Sequence, residues 1–389
     1  MRVERATAFP IGATVELDQL AGDPHELLAR LRSAEPVSWV PVIDGWLVTS
    51  HRLVCEVMRD SDTYTVDDPR FSTAQVVGPS MLSLDGPRHA RHRAPFVAPF
   101  LRKALADRLE AVVRDEVDRL LVELRPAGHA ELRTAFAAPL SVVAMARALG
   151  LPASPAAALR WYEAIVADVS ALSAGEPASG RGRDVMLELR AAVAEAGVGA
   201  RTVVGDALTV LEPDEVASNV AVLLFGGIET TEGTIATVFA HLLARPAELE
   251  RVRREPALAT AAVEESLRLE PAATVLDRYT TRAVELAGVR IGEGELVRLS
   301  LAGANRDPAV FALPDLYDLD RQDGRRHVTF AQGPHVCIGL HLARLEAELA
   351  LTRALALLPG LRLDPGRPAA EVRGLVFRKP PRVDVVWDG

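Results

Sequence analysis

The stretch that decides the reading is Phe330-Ala331-Gln332-Gly333-Pro334-His335-Val336-Cys337-Ile338-Gly339. A lone cysteine is more often an inert buried thiol than a ligand. This one stands just ahead of a helical pattern in which Leu342, Leu345 and Leu349 share a face. At a helix N-terminus the open N–H groups and the helix dipole favour an anionic sulfur. Gly333 permits a tight turn before it, and Gly339 a close backbone approach after it. A thiolate presented in this way suits iron, to which it donates electron density that favours O–O cleavage.

Composition bounds the alternatives. The chain has 389 residues, 49% hydrophobic and 25% charged, the balance of a globular enzyme. Its 44 basic against 53 acidic residues give a net charge of −9, which disfavours nucleic acid as a partner. The two cysteines, Cys55 and Cys337, lie far apart, so neither a disulfide framework nor a four-ligand zinc site is expected. Met1 to Ile11 holds no signal-type apolar segment, and the apolar run Val220 to Ile228 is too short to span a bilayer. A soluble, cytoplasmic protein with no membrane anchor is expected.

Periodicity gives mainly α structure with small β-sheets. Asp44-Gly45 between Val37–Val42 and Trp46–Thr49 signals a hairpin. Apolar residues from Leu101 to Leu124 recur at helical spacing, which predicts one long helix. Leu140 to Val193 reads as helical, with loops at Pro152 and around Gly175 to Gly182. Pro213 opens a helix running to Ala244, and another covers Ala257 to Leu269 before Pro271. Strands are expected at Val284–Ile291 and Leu296–Leu301, then a polar meander, Asn305–His327, and a last helix from just after Cys337 to Leu358. Val383, Val385 and Trp387 read as a final strand.

Phe330, Gly333, His335, Cys337 and Gly339 resemble the haem-binding signature of the cytochrome P450 superfamily, with Cys337 on its proximal ligand. The glycine usual after the phenylalanine is Ala331 here. Three further stretches, in the same chain order, carry the resemblance. Glu265-Ser266-Leu267-Arg268 looks like the family's Glu-x-x-Arg pair, a structural brace in which the two charges share a helix face. The arginine that often joins it from the meander is Leu316 here, and either Arg306 or Arg321 could substitute.

Gly226-Gly227-Ile228-Glu229-Thr230-Thr231 lies inside the long helix, where each glycine costs roughly 1 kcal/mol relative to alanine. Close helix packing or a local opening over a flat cofactor would each explain them. The resemblance implies an oxygen-binding groove in which Glu229 and Thr230 deliver protons. His89-Ala90-Arg91-His92-Arg93 is similar to the family's His-x-x-x-Arg stretch. With Arg278 and His335, His89 and Arg93 are the implied partners of the two haem propionates.

The resemblance runs from His89 to Gly339 and implies one domain over 1–389 with the triangular-prism cytochrome P450 fold. It implies haem b held through iron by Cys337, and electrons from NAD(P)H by way of a separate ferredoxin and its reductase. The implied reaction is oxygenation, above all hydroxylation, of a hydrophobic small molecule in specialised metabolism. The stretches Asp62–Leu84, Trp161–Glu176 and Ala273–Leu276, with Val222, Phe225 and Leu375–Phe377, would line the pocket. Arg102, Lys103, Arg325, Arg326 and Arg344 form either a basic docking patch or scattered surface charge. Oxidative coupling or rearrangement by the same haem is a second enzyme reading, separated by product mass. A haem sensor without turnover is a third, and absence of substrate-dependent NAD(P)H consumption would favour it.

Overall fold

Asp44-Gly45 turns the chain as its composition demands. The strands Val37–Val40 and Gly45–Val48 pair antiparallel, with Trp39 opposite Trp46. The first strand stops at Val40, short of the expected Val42, because Pro41 has no N–H for the ladder. A 3-10 turn, Pro41–Ile43, follows and ends on Asp44 in the left-handed region, at φ +46°. The structure is a computed structural model that describes residues 2–151, 154–197 and 201–388. The loop expected at Pro152 lies outside the described residues. The chain divides into two compact units.

The first unit comprises Met1–Val66, Thr237–Cys337 and Ala369–Pro381. Its five-stranded sheet runs in the order Val37–Val40, Gly45–Val48, Leu296–Ser300, Val275–Thr280, Tyr64–Thr65. Trp39, Trp46, Val48, Leu53, Val57 and Leu299 pack one core against it. The strand Val275–Thr280 is not among the expected elements, because Asp277-Arg278 breaks the apolar alternation. The ladder explains the charge. Asp277 lies directly opposite Arg298 and accepts hydrogen bonds of 2.7 and 2.8 Å from it. The single strand expected over Val284–Ile291 is instead a hairpin, Val284–Leu286 with Val289–Ile291. It turns on Ala287 and Gly288, both with positive φ, the conformation a two-residue hairpin turn needs.

The helix Ala259–Leu269 carries Glu265 and Arg268, and here the ion pair lies inside the protein. Arg268 is fully buried; its Nε and Nη2 donate to the two Glu265 oxygens at 2.8 and 2.7 Å. Its remaining N–H groups reach the carbonyls of Asn305, Pro314 and Leu316 at 3.0, 2.6 and 3.0 Å. The second cation is Arg321, whose Nε donates to Glu265 at 2.9 Å and whose Nη groups hold the carbonyls of Ala312, Leu313 and Leu316. Arg306, the other candidate, pairs with Glu270 and Asp315. Leu316 contributes its carbonyl while its side chain is exposed, so an arginine is not needed at that position.

The second unit comprises Asp67–Ala236, Ile338–Pro368 and Arg382–Gly389. It is helical, with a small sheet of His129–Glu131, Asp384–Val386 and Arg362–Leu363. The long helix expected from Leu101 is two, Arg102–Arg108 and Glu110–Leu124, meeting at Leu109 where φ is −121°. Hydrogen bonds continue on both sides of it, so this is a kink, and Leu105, Leu109, Val113 and Val117 all stay buried. Ala138–Leu149, Pro155–Ser173 and Arg181–Ala196 follow, the last two flanking the loop expected around Gly175 to Gly182. The helix Pro213–Leu243 matches its expected length, and Leu340–Leu357 follows the cysteine loop. Among the described residues no helix is long and apolar enough to cross a membrane.

Removing one partner of a buried ion pair strands the other charge, at about 3–5 kcal/mol. Arg321→Leu leaves Glu265 its two bonds from Arg268, so it is expected to cost less than that, about 1.5–3 kcal/mol of unfolding free energy. Leu316→Ala, at an exposed side chain, is expected to change stability by less than about 0.5 kcal/mol. Equal effects of the two in urea unfolding would contradict the assignment of Arg321 to the brace.

Candidate functional site

The cysteine loop is fixed from below before its sulfur is considered. Asn305, whose carbonyl Arg268 holds, accepts from the Val328 N–H at 2.8 Å and donates to Thr329 Oγ1 at 2.9 Å. Thr329 Oγ1 in turn donates to the Leu267 carbonyl at 2.7 Å, and His327 Nε2 lies 3.1 Å from the Glu264 carboxylate. The loop then closes on itself, the Cys337 N–H donating to the Phe330 carbonyl at 2.8 Å. Gly333, at φ +71°, passes so near the helix His51–Arg59 that a Cβ there would lie 2.6 Å from the Met58 carbonyl. Only glycine fits. Ala331, where the family signature has glycine, adopts φ +57°, a conformation that strains an L-residue by roughly 1–2 kcal/mol.

Cys337 is half-buried, is in no disulfide, and precedes by a short turn the first residue of the helix Leu340–Leu357. His335 ends the 3-10 turn Gly333–His335 and is half-exposed. Arg278 lies on the strand Val275–Thr280, only 4% exposed, with an Nη donating to the Asp277 carbonyl at 2.8 Å. The Asp277 carboxylate is taken by Arg298. These three expected residues all belong to the first unit.

The second unit carries the other four. His89 and Arg93 lie four apart on the helix Gly86–Val97, on one face, His89 buried and Arg93 half-buried. Their neighbours face elsewhere. Arg91 forks onto Glu215 at 2.8 and 2.6 Å, while His92 meets Glu215 at 3.3 Å and Asn219 at 3.0 Å. Burial, only partly offset by Glu215, holds the His92 imidazole below its ordinary range.

Within Pro213–Leu243 the two glycines have different reasons. A Cβ on Gly227 would lie 2.5 Å from Met145 Sδ, so this position is bare for helix packing. A Cβ on Gly226 would meet nothing within 4 Å. Gly226, Gly227 and Thr230 are also the half-open residues of a segment whose other members, Ala221 to Phe225, Ile228 and Glu229, are buried. Packing thus accounts for Gly227, while Gly226 borders open space. The Thr230 hydroxyl donates to the Gly226 carbonyl at 2.5 Å. Glu229 is buried and accepts a hydrogen bond from the Tyr162 hydroxyl.

Four further polar residues of the second unit were not among the expected site residues. Tyr162, Glu232 and Arg133 gather beside Glu229 from elements far apart in the chain, and no local signal marks them. Glu346 had one. It falls on the apolar face between Leu342 and Leu349, where an acid is out of pattern. It is fully buried, neither carboxylate oxygen has a hydrogen-bond partner among the described residues, and burial holds its carboxyl well above the usual carboxylate range.

The chain is similar to known proteins over nearly its whole length. A family model described as Cytochrome P450 matches residues 202–358. Cytochrome P450 107B1 of Saccharopolyspora erythraea is 34% identical over 89% of this chain and 90% of its own. Nocardicin C N-oxygenase of Nocardia uniformis is 33% identical over 98% of each. The crystal structure of P450BioI in complex with an acyl carrier protein ligated to hexadec-9Z-enoic acid superposes with a TM-score of 0.85. It is 26% identical and covers 94% of this chain and 98% of that one.

The strain at position 331 is directly measurable. Ala331→Gly should raise stability by about 0.5–1 kcal/mol, the left-handed penalty less the entropy glycine adds to the unfolded chain. Thermal unfolding of the two proteins checks it, and a destabilised variant would contradict the geometry of the loop.

Proposed function

The chain belongs to the cytochrome P450 superfamily, and from that membership we propose that it hydroxylates a hydrophobic small molecule of specialised metabolism, with Cys337 as the residue that would hold the haem iron. Members are haem monooxygenases, and the chain is accordingly an oxidoreductase with haem b as prosthetic group and NAD(P)H as indirect electron source. When bound, the haem supplies the iron at which dioxygen is reductively split and one oxygen atom is passed to substrate.

Two features support the fit of this group to the residues present. One sulfur stands on a loop braced from behind and leads into a helix N-terminus, the setting that stabilises a thiolate. The space beside Gly226 is open, so that a Cβ there would meet nothing within 4 Å. Cys337 would hold the iron through Sγ. His89, Arg93, Arg278 and His335 would hold the two carboxylates of the macrocycle, His89 and Arg278 supplying buried polar partners for groups that are costly to desolvate alone. We assign the whole of 1–389 to one haem-thiolate domain.

The observation that carries oxygen activation is the Gly226–Thr230 turn, where an otherwise buried helix is half-open and bears an acid and an alcohol. The Thr230 hydroxyl donates its hydrogen bond to the Gly226 carbonyl, so Oγ1 is left to accept from a water. Glu229, next to Thr230 in the chain, would hold a proton for transfer through such a water. An electron carrier or oxygen store needs no such pair.

A ferredoxin and its reductase are the proposed electron donors. In the second unit Arg102 and Arg344 lie near enough to His341 that, after burial, their charges help hold its imidazole below the ordinary range. With exposed Lys103 they make a positive surface suited to an acidic ferredoxin. We place the protein in the cytoplasm, where NAD(P)H is available.

Thr230→Ala is expected to divert consumed NAD(P)H into peroxide, raising the peroxide share several-fold while leaving haem content unchanged. A fully coupled variant contradicts the role given to Thr230. A ligand screen for the spin-state shift identifies substrates, and product mass then decides the reaction: a gain of one oxygen atom supports hydroxylation, a loss of two hydrogens supports coupling.

A further inference from the structure

Three polar side chains, those of Tyr162, Glu232 and Arg133, are drawn together beside Glu229, all within the second unit. The Tyr162 hydroxyl, on the helix Pro155–Ser173, donates to Glu229 Oε2 and lies 3.5 Å from Glu232 Oε2. The other oxygen of Glu232 accepts from Arg133 Nη1 at 2.7 Å. Side-chain exposure rises outward, from 3% at Glu232 to 25% at Arg133, while Tyr162 and Glu229 are buried. Arg133 opens a π-helical turn, Arg133–Ala137, which Glu131 anchors by accepting from the Arg133 and Thr134 N–H groups at 2.9 and 3.0 Å. Such turns recur at functional sites because they move a side chain out of helical register.

Burying two carboxylates and a phenol is expensive, and a helix interior could be filled with apolar residues at less cost. The arrangement also has a direction. A phenol has one proton and faces two carboxylates, so it can donate to only one at a time. Burial, followed by the charges of Glu229 and Glu232, holds the phenol above its usual range, so it stays protonated. It can therefore pass a proton only by receiving another in the same step.

We propose that Tyr162 is the positioning and relay residue that reloads Glu229 with protons arriving at Glu232. The inference rests on the reading of Glu229 as proton donor. In the relay step the Glu232 carboxyl gives its proton to the phenolic oxygen as the phenol's own proton passes to the Glu229 carboxylate. Two O–H bonds break and two form, and no charge is left on the phenol. Arg133 carries no proton itself, since a guanidinium stays protonated. It orients Glu232 by one oxygen, leaves the other turned to the phenol, and keeps the outer end of the line at the solvent boundary.

The test uses the holoenzyme without substrate, supplied with NADPH, a [2Fe–2S] ferredoxin and its reductase. The readouts are the peroxide share of the oxygen consumed and the solvent deuterium isotope effect on its consumption. Tyr162→Phe keeps the ring and its packing, and is expected to raise the peroxide share several-fold and to increase the isotope effect. Glu232→Gln should do the same. In a Glu229→Gln background Tyr162→Phe should change neither, because the line then has no end to reload. If Glu229→Gln alters both readouts and Tyr162→Phe neither, the relay is wrong and the role of Glu229 stands. If Glu229→Gln alters neither, the role of Glu229 falls and the relay with it. Thermal unfolding gives a readout independent of turnover: the midpoint shift of the double variant Tyr162→Phe/Glu229→Gln should be smaller than the sum of the single shifts. Strict additivity would contradict the contact on which the line depends.

Discussion

The guanidinium of Arg268 is the interaction on which the first unit depends. It is fully buried, and every direction in which it can donate is used: two bonds to Glu265 and one each to the carbonyls of Asn305, Pro314 and Leu316. A buried charge of this kind is either fully matched or costs several kcal/mol, so the meander that supplies the carbonyls has little freedom. Asn305 carries the constraint onward, its side chain fixing Val328 and Thr329 at the start of the cysteine loop. The buried ion pair thus reaches the start of the cysteine loop through Asn305.

In the second unit the corresponding element is the helix Pro213–Leu243, and its irregularities are informative. A helix pays in stability for internal glycine. Gly227 is explained by Met145, which leaves no room for a side chain, whereas Gly226 faces open space and has no packing reason. Local rules are expected to be broken where a site needs it. Thr230, one turn on, bonds back to the Gly226 carbonyl, and Glu229 turns to Tyr162, so neighbouring residues serve different directions.

What could be read from the sequence was what is encoded locally. The hairpin at Asp44-Gly45, the helix opened by Pro213 and the loop around Cys337 carry their own turn and capping signals, and each stands close to where it was expected. The strand Val275–Thr280 escaped because its charge at Asp277 is satisfied by Arg298 on another strand. The kink at Leu109 leaves the apolar periodicity intact and so leaves no trace in it. Arg321 could be narrowed to one of two arginines but not chosen, because the choice depends on how the meander folds back on Glu265. Tyr162, Glu232 and Arg133 meet only through tertiary structure. Glu346 was visible as an acid on an apolar face.

The proposed function rests on a bond that the Cys337 sulfur would make to the haem iron. Its most direct test is the carbon monoxide spectrum of the reduced, haem-loaded protein beside that of Cys337→Ala. A thiolate opposite the carbon monoxide shifts the Soret band strongly to the red, so the account predicts that band in the parent protein and its loss in the variant. The same red-shifted band in both would show that the iron takes its ligand from elsewhere.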